Sequence, residues 1–171
     1  MKRILVLFAL ATMCFGANEL DFNTLSSDFT QTVSSKTKKI TYSGYFALHK
    51  DLGAFWHYKT PATKLIYFNY GRVTILEPEL EQAILTDLKD SPNLTSILSQ
   101  AKMTSKDTYK ALYDNTTYTI KVKNGLPTSI DYTDKLDNKV SIKLSKTRKN
   151  EPINQGLLEP NIPENYDILS N

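Results

Sequence analysis

Cysteine and histidine are scarce in this chain, which has one cysteine and two histidines among 171 residues. The cysteine, Cys14, lies in an apolar stretch that follows Lys2 and Arg3 and ends in small residues. This order of charged, apolar and small residues predicts a secretory signal peptide over residues 1–17, removed after residue 16 or 17. The exported chain then lacks cysteine, which excludes a disulfide framework, a thiol nucleophile and a thiolate metal site.

Two other interpretations of the N-terminus are weaker. A buried N-terminal helix is disfavoured because the apolar run from Ile4 to Ala11 is not amphipathic. A lipidated Cys14 is disfavoured because Met13 precedes it, where lipoprotein signals place a small residue. We therefore expect residues 18–171 to form one exported domain, of a size that needs neither a disulfide nor a metal for stability.

A strong charge of either sign is also lacking. The formal charge of +3 comes from 21 basic and 18 acidic residues. The signal peptide takes Lys2 and Arg3 and no acid, so 21 − 2 = 19 basic residues face 18 acids in the exported chain. A net charge of +1 does not favour nucleic acid as a partner.

Catalytic patterns are absent from the sequence, with no nucleophile elbow, Gly-rich phosphate loop or His-Glu-x-x-His motif. His49 and His57 lie on two strands of a predicted hairpin and could meet as a metal pair, but no third ligand stands at a useful spacing. Glu77, Glu79 and Glu81 could mimic a glycosidase pair, but they flank a proline turn where acids are ordinarily solvated. We expect no enzyme, no metal and no cofactor.

Aromatic residues are abundant between residues 40 and 70 and form an alternating pattern there. The pattern breaks at residues 50–53, and Pro61 marks its end, which predicts a β-hairpin with two strands. One face of this hairpin carries large side chains and Gly44: Ile40, Tyr42, Phe46 and Leu48 on the first strand, and Trp56 and Tyr58 on the second.

Further alternating segments bring the predicted total to about nine strands, joined by short turns such as Asn124-Gly125. Short turns imply antiparallel neighbours. Apolar residues three and four positions apart predict a helix over residues 18–35 and a shorter one that starts at Ser91-Pro92. The expected fold class is α+β: a large antiparallel sheet curled into an unclosed β-barrel, with a helical lid and an N-terminal helix.

The strands between residues 40 and 70 are apolar on both faces, and only two short one-sided helices are available to cover them. One face can pack against the helices as a core. For the other face we expect an apolar ligand cavity. The alternative is an exported interaction module that binds no lipid, in which the same aromatics only fill a core.

Several short motifs stand in order along the chain. They are Phe29-Thr30-Gln31, Gly44, Phe55-Trp56, Pro61, Gly71-Arg72-Val73, Glu77-Pro78, Glu81-Gln82-Ala83 and Pro160-x-x-Pro163-Glu-Asn-Tyr-Asp. Their order and spacing, together with the signal peptide, make the chain resemble the outer-membrane lipoprotein carrier proteins of the periplasm, the LolA family. The resemblance covers essentially all of the exported chain.

This resemblance implies a monomeric periplasmic chaperone whose cavity holds lipoprotein acyl chains. Such a carrier takes lipoproteins from an inner-membrane ABC transporter and passes them to an outer-membrane lipoprotein receptor. The receptor itself has the same fold and is the nearest alternative function, which Met13 before Cys14 disfavours. The residues that we expect at the acyl-chain cavity are Leu25 and Phe29 beneath the first helix, Phe46, Leu48, Trp56, Tyr58, Ile66 and Phe68 on strands, and Leu94, Ile97 and Leu98 on the lid.

The chain departs from the family pattern in the break of the hairpin. The family typically places an arginine and a proline there, and the arginine holds the lid shut; this chain has Lys50-Asp51. We expect Lys50 to act as a weaker lid lock, because an ammonium donates from a point and not from a planar fork. A large apolar residue is also expected two positions before Trp56, where this chain has Ala54.

Overall fold

The computed structural model describes residues 20–87 and 94–170. The predicted signal peptide and the predicted helix start at Ser91-Pro92 lie outside these residues. The described residues form twelve strands, with one α-helix between the sixth and the seventh. In chain order the elements are β1 (Thr24–Ser34), β2 (Lys39–His49), β3 (Gly53–Thr60), β4 (Lys64–Asn69), β5 (Arg72–Glu77), β6 (Gln82–Asp87), α1 (Leu94–Gln100), β7 (Lys102–Ser105), β8 (Thr108–Tyr113), β9 (Thr116–Lys123), β10 (Leu126–Thr133), β11 (Lys139–Lys149) and β12 (Asp167–Ser170).

All twelve strands belong to one sheet, in the order β12-β6-β5-β4-β3-β2-β1-β11-β10-β9-β8-β7. Strand β1 pairs with both β2 and β11 and so joins the two halves of the sheet. Every pair is antiparallel except β12 with β6. Because the edge strands β12 and β7 have one neighbour each, the sheet is not closed, which confirms the predicted large, unclosed antiparallel sheet.

The predicted hairpin is confirmed as β2 and β3. Their register pairs Phe46 with Trp56 and Leu48 with Ala54, so the predicted faces are correct. The turn at Asn124-Gly125 is also confirmed, since both residues have positive φ, as a type I′ hairpin turn requires.

The predicted N-terminal helix is wrong, because residues 24–34 form the central strand β1. Leu25, Phe29 and Val33 are four residues apart, and an even spacing also places side chains on one face of a strand. The residues between them are mostly serine and threonine, which disfavour helix interiors, and threonine favours strands. The side chains predicted to lie beneath a helix therefore belong to the sheet itself.

Strands β7 and β8 lie where the sequence predicts no strand. In β8, Tyr109 and Ala111 are buried while Leu112, on the opposite face, is 65% exposed. An exposed leucine on the solvent face obscures the apolar–polar alternation that normally reveals a strand.

The C-terminal segment, which holds a short 3₁₀-helix at Gln155–Leu158, covers part of the outer face of the sheet. Phe55 and Tyr67 point outward and pack with Leu158 in a cluster of their own. Asn69 reinforces this contact by donating from Nδ2 to the carbonyl oxygen of Leu158 at 3.0 Å. The premise that two helices were the only available cover is therefore wrong, and the inner face is left to form the cavity.

Candidate functional site

The inner face of the sheet lines a cavity of about 250 Å³. Trp56 on β3 and Ile130 on β10 both line it, although three strands separate β3 from β10 in the sheet order. The sheet therefore curls round so that its two halves face one another across the cavity. The lining residues are Gln31, Trp56, Tyr58, Ile66, Phe68, Val73, Ile75, Leu94, Ile97, Tyr118, Ile130, Tyr132 and Ile142.

Aromatic contacts fix the wall formed by β3. The Trp56 ring stacks on Phe46 with centroids 4.8 Å apart, and it meets Phe29 edge-on at 5.0 Å. Phe29 also meets the ring of Tyr58 edge-on at 5.0 Å. Offset and edge-to-face pairs of this kind hold rings in fixed orientations. Phe29 and Phe46 thus form a buried layer that supports the two rings facing the cavity.

Gly44 permits this layer. A Cβ built at residue 44 would overlap the carbonyl oxygen of His57 and would lie 2.9 Å from Cε1 of Phe29. Only glycine leaves room both for β3 to approach β2 and for the Phe29 ring to pack above it.

Helix α1 covers one side of the cavity. Leu94 and Ile97 line it, and Leu98 is fully buried in the core next to them. The helix packs against β8. Its spacing of three and four residues places these apolar side chains on one face, as the sequence predicts.

A wider groove of about 550 Å³, here called the outer groove, adjoins this inner cavity. Gln31, Tyr58 and Ile66 line both spaces, so they mark the boundary between them. The groove is more polar on the side of the β3–β4 turn, where Lys64 and Glu77 form an ion pair at 2.7 Å. The site therefore grades from an apolar interior to a polar rim.

The tyrosine hydroxyls in this site remain protonated at neutral pH. Burial raises the pKa of Tyr58 well above its ordinary range, and the neighbouring Tyr132 and Tyr42 add to the effect. Burial, followed by Tyr118 and Asp134, raises the pKa of Tyr132 to about 12. These groups are neutral hydrogen-bonding groups in an otherwise apolar wall.

The predicted site residues fall into two layers. Six of them line the cavity: Trp56, Tyr58, Ile66, Phe68, Leu94 and Ile97. The other five apolar residues lie in the buried core behind it: Leu25, Phe29, Phe46, Leu48 and Leu98.

Sequence reasoning missed the lining residues on β5 and in the C-terminal half of the sheet. Alternation shows that Tyr118 points inward, but it does not show that β9 lies opposite β3. Gln31 was missed because the helix prediction gave it no place on an inner strand face. The missed residues are Gln31, Val73, Ile75, Tyr118, Ile130, Tyr132 and Ile142.

Lys50, the predicted lid lock, lies just after β2 and is largely exposed. Its ammonium nitrogen lies 3.4 Å from a carboxylate oxygen of Asp21. It also lines a second cavity, of about 280 Å³, together with Thr95 and Ser96 of α1. Its role in holding α1 stays a prediction.

The two histidines do not meet across the hairpin. His57 pairs with Tyr45, whereas His49 pairs with Gly53, so four residues of strand, roughly 13 Å, separate the two positions. Within residues 20–87 and 94–170, no three metal-binding side chains are grouped to hold an ion.

The acids near Pro78 have structural contacts. Glu77 pairs with Lys64, and the carboxylate of Glu79 accepts a hydrogen bond from the backbone N–H of Thr63 at 3.2 Å. Both contacts tie the β5–β6 turn to the neighbouring β3–β4 turn. In the part of the chain that the structure describes, no helix has the length and apolar character to span a membrane.

Comparisons with known proteins agree with this geometry. The family model "Outer membrane lipoprotein carrier protein LolA" matches residues 21–116. An outer-membrane lipoprotein carrier protein from Campylobacter jejuni is 44% identical over 169 residues, which cover 99% of each chain. One from Helicobacter pylori strain J99 is 32% identical and covers 87% of this chain and 81% of the relative.

Solved structures show the same fold at low sequence identity. A LolA superfamily protein from Nitrosomonas europaea superposes with a TM-score of 0.52 at 9% identity, over 84% of this chain and 94% of the other. An uncharacterised conserved protein from Thermus thermophilus gives a TM-score of 0.55 at 6% identity, over 90% and 94% of the two chains.

Proposed function

The chain belongs to the LolA family of outer membrane lipoprotein carrier proteins, and on that basis we propose that it carries lipoproteins to the outer membrane with their acyl chains shielded in the inner cavity. The observation that carries this proposal is the apolar cavity that lies between the two halves of the sheet and α1.

The physical need for such a cavity follows from the hydrophobic effect. Moving one methylene group from water to an apolar environment is favourable by about 0.8 kcal/mol of free energy. Exposing one long acyl chain to water therefore costs about 10 kcal/mol. Aliphatic and aromatic side chains line the cavity, and they supply the apolar surroundings that replace the membrane. The outer groove lets part of the cargo remain outside the inner cavity.

A carrier must also release its cargo. The cover over the cavity is α1, a helix of seven residues, and a sheet with two free edges can widen without losing a closed ring of strand pairs. We assign Leu94, Ile97 and Leu98 to a movable lid and Lys50 to its lock. Cargo enters and leaves as α1 lifts from the cavity.

The expected partners follow from this role. The protein works in the periplasm as a monomer, receives lipoproteins from an inner-membrane ABC transporter and delivers them to an outer-membrane receptor. Transfer changes only which surface covers the acyl chains, so this role requires no catalytic residue or cofactor. We expect nucleic acid not to be a partner.

A probe-uptake experiment with a cavity-filling variant tests the proposal. Ile75 lines the cavity, so Ile75→Trp reduces its volume. We expect this variant to lower the uptake of a hydrophobic fluorescent probe by delipidated protein severalfold, and to lower the yield of lipoprotein that co-purifies from periplasm.

Ile168→Trp is the matched control, because Ile168 is 59% exposed on the edge strand β12. It should bind the probe as the unaltered protein does. Delipidated protein that takes up neither the probe nor lipoprotein acyl chains would show that the cavity is only a loosely packed core.

A further inference from the structure

Gln31 and Tyr58 stand where the inner cavity meets the outer groove, and both line both spaces. The Tyr58 hydroxyl donates a hydrogen bond to Oε1 of Gln31 at 2.8 Å. Edge-on contacts with Phe29 and Tyr42 hold the Tyr58 ring on two sides. The Gln31 amide is therefore held beside the Tyr58 hydroxyl, with Oε1 as the acceptor.

This orientation leaves the amide nitrogen of Gln31 free for a ligand. A glutamine amide has one acceptor oxygen and two N–H donors, and Tyr58 uses the oxygen. Within the residues that the structure describes, Nε2 makes no hydrogen bond, and because no buried side-chain nitrogen there lacks a partner, Nε2 is open to the site. The charged groups that line the groove already have partners, since Lys64 pairs with Glu77 and the carboxylate of Glu79 accepts a hydrogen bond from the backbone N–H of Thr63.

A bound acyl chain needs a hydrogen-bond donor only at the carbonyl group at its end. Its methylene groups need an apolar surface, but the ester or amide carbonyl at its end loses water on entering the site, which is costly unless a hydrogen bond replaces that water. The boundary between the apolar cavity and the more polar groove is the place where such a carbonyl comes to rest.

We propose that Nε2 of Gln31 donates a hydrogen bond to the acyl carbonyl of the lipid anchor, and that Tyr58 positions the amide for it. The hydrocarbon chain then lies in the inner cavity, and the polar end of the anchor lies in the outer groove. This inference rests on the proposed function, and it adds a means of distinguishing acyl groups from plain hydrocarbon.

Two variants test the subsite, each with a matched control. Gln31→Leu removes the donor, and Tyr58→Phe removes only the hydroxyl that orients it. Gln155→Leu makes the first change at an exposed residue outside the cavity, and Tyr45→Phe makes the second on the outer face of β2. Delipidated proteins are titrated with diphenylhexatriene, a hydrocarbon probe, which is then displaced by methyl palmitate or by N-methylpalmitamide.

We expect Gln31→Leu to weaken the binding of both carbonyl ligands about three- to tenfold, which is the change in affinity that the loss of one hydrogen bond produces. Tyr58→Phe should weaken it in the same direction by a smaller factor. Affinity for diphenylhexatriene should change less than twofold in either variant, and the controls should match the unaltered protein. Loss for only one carbonyl ligand would assign the subsite to esters or to amides.

Two results would overturn the subsite while leaving the carrier function intact. One is unchanged affinity for both carbonyl ligands in Gln31→Leu and Tyr58→Phe. The other is an equal loss for carbonyl ligands and hydrocarbon, which would make the pair a structural contact. Failure of the unaltered protein to bind any ligand would instead reject the proposed function.

Discussion

Gly44 is the residue on which the aromatic wall of the cavity depends most directly. We expect Gly44→Ala to lower the free energy of unfolding by about 1–3 kcal/mol, because the added methyl overlaps the His57 carbonyl oxygen and crowds Phe29. Urea denaturation measures this change. Gly156→Ala is the control, since its Cβ would meet only Oδ1 of Asn154, at 3.4 Å. Equal stability of the two variants would contradict the close approach at residue 44.

Tyr132 makes the stability of the fold depend on pH in the alkaline range. Its pKa rises to about 12 in the folded protein, mainly through burial, against an ordinary value of 10.0. Between these values the unfolded chain releases the proton first, so stability falls as pH rises. At pH 11 the earlier deprotonation of this single group in the unfolded chain lowers the free energy of unfolding by about 1.4 kcal/mol.

Urea denaturation at pH 8 and pH 11 measures this dependence, to which Tyr58 and Tyr118 add in the same direction. Tyr132→Phe should therefore show a smaller loss of stability at pH 11 than the unaltered protein. Tyr70→Phe removes a hydroxyl from a ring that is 86% exposed and should leave the loss unchanged. An identical loss in Tyr132→Phe would place Tyr132 outside the buried wall.

At the scale of single elements, α1 and the break between β2 and β3 form the candidate gate. The Lys50–Asp21 pair is exposed, so Lys50→Ala should change global stability by less than about 1 kcal/mol. If Lys50 is the lid lock, amide hydrogen exchange over residues 94–100 should nevertheless become faster in this variant. Hydrogen exchange detects such local opening separately from global unfolding.

Lys135→Ala is the control for the lid experiment. Lys135 pairs with Asp114 at 2.6 Å, and these residues belong to two other turns, β10–β11 and β8–β9. Its loss should leave exchange in α1 unchanged. Unchanged exchange in Lys50→Ala would remove Lys50 from the gate and leave α1 held by its apolar contacts alone.

The elements show what a local pattern can predict. The β2–β3 hairpin was predictable because strict alternation and a clear break occur together between Ile40 and Pro61. Strand β1 was not, because Leu25, Phe29 and Val33 have a spacing that fits a helix and a strand equally well. Composition was the remaining signal, since serine and threonine fill the positions between them.

The cover of the outer face was harder to predict. The segment that packs on Phe55 and Tyr67 lies between β11 and β12 and has one regular element, the four-residue 3₁₀-helix Gln155–Leu158, which is too short for its apolar residues to show a period. Leu158 is 2% exposed, yet nothing in the surrounding sequence marks it as buried. Periodicity reports only on regular elements.

At the scale of the whole molecule, the cavity depends on strand order and not on any one element. The inward direction of Tyr118 could be read from alternation, but its place opposite Trp56 depends on the pairing of β1 with β11. That pairing joins residues more than a hundred positions apart. Local sequence patterns carry no information on such long-range partners, so half of the cavity wall could not be predicted.

The state of the mature N-terminus separates a free carrier from a membrane-anchored receptor of the same fold. A free carrier must travel between two membranes, so an acylated Cys14 would hold it at one of them. We expect the intact mass of the periplasmic protein to correspond to cleavage after residue 16 or 17, with no acyl group. Because Cys14 lies within the predicted signal peptide, Cys14→Ser should give the same mature mass and the same soluble fraction. A Cys14→Ser variant that moves from the membrane to the soluble fraction would instead identify the chain as the anchored receptor.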